Sequence, residues 1–330
     1  MWVFASLQTA AALAAESQPS LEQHATGAIA SSPELETAYA LPTTRDHIGR
    51  VVVPVTINGR GPFRFVVDTG ANHSTISPGL VRTLGLMPEG EASVTLDGIT
   101  GTAQVSFVTI DRMQAGDLSL SGTVLPVVWA PVMGGADGIL GAAGLAERSL
   151  TVDFRRNRVV ISHSVEPAAR LDATKIHARR LNQGLMILET QVGEVAVTAV
   201  IDTGSERTLG NLALRDAVKA KRRPGAVAQV TSIYGATEQV ELGEIQRAPP
   251  IAIGSLHITD LSIIYGGFHI FNVWGLQNRP AMIIGMDVLG TVASMAIDFK
   301  NEDIYVAASR VGGDSLSQQH GVLASPVMQR

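Results

Sequence analysis

The chain has 330 residues, of which 45% are hydrophobic and only 17% charged, against about 25% in ordinary globular proteins, and it holds 33 glycines. That balance over a length suited to about two domains implies many short strands, tight turns and a large buried fraction. A net charge of −5 excludes electrostatic attraction to nucleic acid, and the absence of cysteine excludes disulfides and thiolate metal sites.

Residues 1–15 are apolar and end in Ala12-Leu13-Ala14, a small-x-small pattern, in a stretch too short to span a bilayer. We read them as a signal segment, which implies export to the periplasm or the exterior. No Lys or Arg precedes Arg45, so a frayed tail or a misassigned start codon clipping a longer leader stands as the other reading, and a cytoplasmic protein is the alternative to export. Residues 16–44 mix Ala, Ser, Thr, Glu and Pro without a period and read as a disordered arm or linker.

Strand signals begin after Arg45, in a unit spanning residues 45–163. Val51 to Ile57, the turn Asn58-Gly59, and Phe63 to Val67 read as a hairpin whose second strand ends in Asp68-Thr69-Gly70. Ser77 is an N-cap for a short helix from Pro78, and Ile99-Thr100-Gly101 forms a hairpin tip. Ile139-Leu140-Gly141 and Asp153-Phe154 follow. A basic linker over residues 164–183 reads as a solvated face. A second unit over residues 184–308 repeats the order: apolar strands, Asp202-Thr203-Gly204-Ser205, N-cap Asn211, a tip at Tyr234-Gly235, then Ile283-Ile284-Gly285 and Asp298-Phe299. Residues 309–330 read as a frayed tail.

The repeat is quantitative. Asp68 and Asp202, Ser77 and Asn211, and Gly101 and Gly235 all lie 134 residues apart. The offset is 138 at Gly116 and Gly254, and 144 at Gly141 and Gly285, so the second unit carries about ten extra residues before its last apolar strands. Those extra residues hold Tyr265, Phe268, Phe271 and Trp274, which either border a binding pocket or plug a satellite core. Their counterpart in the first unit is Trp129 to Met133.

An Asp-Thr-Gly turn behind a strand, a glycine hairpin, and two aliphatics before a Gly resemble the aspartic proteases, and here the whole set occurs twice. The chain is similar to bacterial retropepsin-like proteins, joined in the pepsin manner as two lobes in one chain, over about residues 45–307. The resemblance implies a mostly β, bilobal acid-protease fold, with two β-barrel-like lobes, short helices and a cleft between them. It implies Asp68 and Asp202 as a catalytic dyad, with Gly70 and Gly204 leaving room for backbone to approach the carboxylates. It also implies that Thr69 and Thr203 cross-link the two loops, and that a hydroxyl such as Ser205 bonds the second carboxylate. Ile99, Thr100 and Gly101 would form one flap and Tyr234 and Gly235 the other, Tyr234 either closing over substrate or remaining a surface aromatic.

Peptide hydrolysis needs a base to activate water and an acid to protonate the amide nitrogen; two carboxylates sharing one proton supply both, which is the general account of aspartic proteases. A single Asp at a strand end is commonly a turn former, and its repetition at equivalent positions is what argues against that reading here. His73 has no second His at metal spacing, and Gly134-Gly135-Ala136-Asp137-Gly138 lacks the Lys of a phosphate loop. The expected protein is an aspartic endopeptidase that needs no cofactor or metal, acts on peptide or protein substrates, does not bind nucleic acid and is active as a monomer. The competing reading is a non-catalytic peptide- or protein-binding module.

Overall fold

The computed structural model describes residues 4–6, 40–42, 44–46, 49–128, 133–181, 184–220 and 229–309. It is a mostly β, bilobal acid-protease fold. The parts of residues 1–15, 16–44 and 309–330 beyond those bounds, and most of the segment from Trp129 to Met133, lie outside the described residues.

Each lobe is built on a hairpin whose second strand carries an aspartate to the lobe boundary. In lobe one Val51–Ile57 pairs antiparallel with Arg60–Asp68. Asn58 and Gly59 both adopt positive φ, the mirror-image turn whose twist matches the flanking strands. In lobe two the pair is Leu185–Val192 with Val195–Ile201. The apolar run that follows in each lobe, Gly138–Gly141 or Ala281–Ile284, then pairs parallel beside the aspartate strand, buried along its length. Both predicted caps form: Ser77 Oγ accepts from Leu80 N at 3.1 Å, and Asn211 Oδ1 accepts from Leu214 N at 2.8 Å.

The lobes are fused by a six-stranded sheet. Ser149–Asp153 of lobe one pairs antiparallel with Ser294–Asp298 of lobe two, with Thr151 opposite Ala296. These two residues are themselves repeat equivalents, so the pseudo-two-fold axis passes between them. The linker is more than a solvated face: Thr174–His177 joins this sheet beside Asp303–Ala307, and Arg179–Leu181 pairs with Leu185–Val192. One apolar core runs through both lobes, from Phe65 and Val67 through Leu150 and Ile297 to Leu188 and Ile201. Each such fully buried side chain contributes about 1.5–3 kcal/mol, so the lobes are not independent units.

Two hairpins project over the lobe boundary. Flap one is Val94–Gly98 with Gly101–Val105; flap two is Gln229–Tyr234 with Val240–Arg247. The free edge of flap one carries a short N-terminal strand, Phe4–Ser6, in antiparallel register with Phe4 opposite Asp97. Among the described residues flap two ends its sheet, and Gln229–Tyr234 is paired on one side only.

Candidate active site

Asp68 and Asp202 close their strands at the lobe boundary, 1% and 0% exposed. Each carboxylate is fixed by the turn that follows it. Asp68 Oδ1 accepts from Gly70 N and Ala71 N, both at 2.9 Å, and Asp202 Oδ1 accepts from Gly204 N at 2.7 Å. Neither Oδ2 has a donor among the described residues. The Asp68 carboxyl lies against the turn that carries Asp202: a Cβ on Gly204 would strike the Asp68 carboxyl carbon, which is why only glycine fits there. Burial, and next the adjacent charge of Asp68, hold the Asp202 carboxyl well above the usual carboxylate range.

The threonines cross between lobes. Thr69 Oγ1 donates to Ile201 O at 2.8 Å and accepts from Thr203 N at 3.1 Å; Thr203 Oγ1 donates to Val67 O at 2.7 Å and accepts from Thr69 N at 3.2 Å. These four bonds are all buried and reciprocal, so neither loop can shift without breaking the other's bonds. Beneath each loop, Gly141 and Gly285 permit a backbone crossing. A Cβ on Gly141 would strike the His73 carbonyl and one on Gly285 the Arg207 carbonyl, equivalent positions in the repeat.

The chain carries two matches to the aspartyl protease family model, over residues 53–143 and 188–288, together more than half its length and each containing one of the two aspartates. It belongs to the aspartyl protease family. No curated protein matches this aspartyl protease.

The residues expected to form the flaps meet one another. Ile99 and Thr100 are buried, and Thr100 Oγ1 lies 2.8 Å from Thr237 Oγ1 of flap two. Gln239 Nε2 donates to Thr102 O at 3.3 Å. Gly101 packs against the Gln239 side chain, and Gly235 against Ile99 and Thr100. Tyr234 is 62% exposed, at the rim of a cavity of about 360 Å³ bounded by Gly204 to Arg207, flap-two residues Thr231 to Ile233, and Arg50. A second cavity, of about 520 Å³, lies between Thr102–Val105 of flap one and Ala236–Gln239 of flap two.

Two expectations change. Ser205 Oγ donates to Arg207 O at 2.8 Å and does not bond Asp202, because a serine hydroxyl readily reaches the carbonyl two residues on within its own turn. Of the two readings for the lobe-two aromatics, the satellite core holds: Tyr265, Phe268, Phe271 and Trp274 are each at most 4% exposed. Phe268 and Phe271 stack tilted at 6.5 Å, and Phe271 meets Trp274 edge-on at 6.0 Å. Their burial leaves them no surface with which to border a substrate pocket.

Sequence reasoning missed the support beneath Asp202. Thr208 Oγ1 donates to Asp287 Oδ1 at 2.7 Å, Thr208 N donates to Asp287 Oδ2 at 3.0 Å, and Gly285 N donates to Thr208 Oγ1 at 3.3 Å. Burial raises the Asp287 carboxyl despite these bonds and nearby Arg207. The repeat contained the signal: lobe-one Ser74, equivalent to Thr208, accepts from Gly141 N at 3.1 Å. Arg50, buried and ion-paired to Asp46 at 2.6 Å on the cavity wall, carried no such pattern. Among the described residues no three His, Cys, Asp or Glu side chains converge as a metal site would require.

Proposed function

We propose that this chain is a retropepsin-like aspartic endopeptidase with both halves of the dyad in one polypeptide. The observation that supports it is the pair of buried carboxyls, each with an Oδ2 that lacks a donor among the described residues, carried on loops tied together by reciprocal threonine bonds. Two such oxygens at close range are satisfied together only by a shared proton. Burial, and next the adjacent Asp68 charge, raise the Asp202 carboxyl, which has one backbone donor against two on Asp68, so on this reading Asp202 starts the reaction as the acid.

The chemistry follows from that asymmetry. Asp68 takes a proton from a water lying between the carboxyls as the water oxygen attacks the scissile carbonyl carbon. Asp202 gives its proton to the carbonyl oxygen, leaving a neutral tetrahedral diol. Collapse breaks the C–N bond, with a proton passing from the diol through the dyad to the departing amine. An extended peptide would run along the free edge of Gln229–Tyr234, which lines the cavity beside Gly204.

Export through an N-terminal leader belongs to the same reading. Removing that leader would also free the flap-one edge now paired with Phe4–Ser6. The test is incubation with a diverse peptide pool across pH, with fragments read by mass spectrometry. Cleavage by the wild type that vanishes in Asp68→Asn supports the assignment. A statine-type mimic that binds without any cleavage would instead favour a non-catalytic binding module.

A further inference from the structure

We propose that the extra chain of lobe two is a docking platform for flap one, with His269 as its positioning residue. The functional meaning of holding flap one rests on the peptidase reading above; the geometry does not. The repeat offset grows from 138 to 144 across Gly254 to Gly285, and the short helix His269–Val273 lies within that interval.

This segment grips flap one at three points. His269 N donates to Ile99 O at 3.0 Å, at the flap tip. His269 Nε2 lies 3.2 Å from Asp97 Oδ1 on the first strand and 3.0 Å from Thr102 Oγ1 on the second. Thr102 Oγ1 in turn donates to Asp97 Oδ1 at 2.6 Å. Since the Thr102 proton is committed to Asp97, Nε2 must carry a proton and donate, which fixes the tautomer. One imidazole therefore ties both flap strands to lobe two. Below it, Ile99 joins the apolar cluster of Phe268, Ile270, Phe271 and Trp274. The aromatics that the sequence offered as pocket walls are instead the floor on which the first flap rests.

Flap two is held by lobe one: Ala236 at its tip is 8% exposed, in an apolar cluster with Ala71, Leu96, Val128, Met133 and Ile139. Its tip is also joined to flap one through Thr237 and Gln239. Flap one depends on the extra segment: lifting it would break its contacts with His269 and uncover Ile99, now 1% exposed, and the aromatic core below it. Local opening of flap one is therefore limited by these contacts.

Amide hydrogen exchange read by mass spectrometry on the full chain tests this without any turnover. His269→Ala should accelerate exchange in Val94–Val105 by about tenfold, the loss of one hydrogen-bond anchor, with the aspartate strands unchanged. Asp97→Asn should act in the same direction. His269→Gln, whose amide can still donate to Asp97, should restore part of the protection. If the peptidase reading holds, His269→Ala also raises KM for peptides more than it lowers kcat. Unchanged flap-one exchange in both His269→Ala and Asp97→Asn overturns the proposal, and so does a uniform acceleration across both lobes. A protein that cleaves no peptide overturns the peptidase reading alone, since the exchange pattern is read independently of it.

Discussion

At the scale of single residues, the pair Asp68 and Asp202 would carry the proposed chemistry, and it also governs how stability depends on pH. Asp202 is raised in the folded state, so between the ordinary carboxylate value of 3.8 and that raised value the folded protein binds more protons than the unfolded one. Stability from this group is therefore present at low pH and lost as pH rises. Asp202→Asn removes the effect: its melting temperature should exceed that of the wild type at neutral pH, and the gap should shrink as pH approaches 4. The same substitution should lower peptide hydrolysis at least about a hundredfold, since it removes an acid–base group. A melting curve for Asp202→Asn with the wild-type pH dependence would refute the buried, raised carboxyl. Ser205, bonded to Arg207 O, makes the opposite kind of prediction. Ser205→Ala should leave the acidic limb of the pH–rate profile in place, and a shifted limb would show that the hydroxyl reaches Asp202.

Among elements, the crossing of the two Asp-Thr-Gly loops is the strongest local constraint. Thr203→Val deletes a buried donor to Val67 O and a buried acceptor for Thr69 N while keeping the side-chain shape. Each orphaned partner costs about 1–3 kcal/mol, so urea denaturation should show a loss of roughly 2–6 kcal/mol. Thr203→Ser, which keeps the hydroxyl, should recover most of it. The aromatic element of lobe two predicts by packing. Phe268 is 1% exposed beneath flap one, and Phe268→Ala should cost about 3–5 kcal/mol with no change in cleavage preference. A changed preference at unchanged melting temperature would return this segment to the substrate pockets.

For the whole molecule, the six-stranded sheet decides how the lobes behave. Thr151 and Ala296 meet on the pseudo-axis, and the core runs unbroken from Phe65 to Ile201. The lobes should therefore unfold together, in one transition by both fluorescence and far-ultraviolet circular dichroism. Because one chain holds both aspartates, specific activity should not change on dilution. A fall in specific activity with dilution would point to a dyad assembled between chains.

What the sequence by itself determined is the local and the repeated. The mirror-image turn at Asn58-Gly59, the caps at Ser77 and Asn211, and the pairing of Asp68 with Asp202 were legible because each depends on residue type and spacing within a few bonds or one repeat. The strands within the linker were not legible, because short polar segments such as Thr174–His177 become strands only when an edge is offered to them. Side-chain partners across long separations were not legible either. Ser205 turned to its own loop, Thr208 found Asp287, and His269 found Asp97 across 172 residues. Hydrogen-bond capacity is written in the residue type, but the choice among many possible partners is made by packing, which only the folded chain supplies.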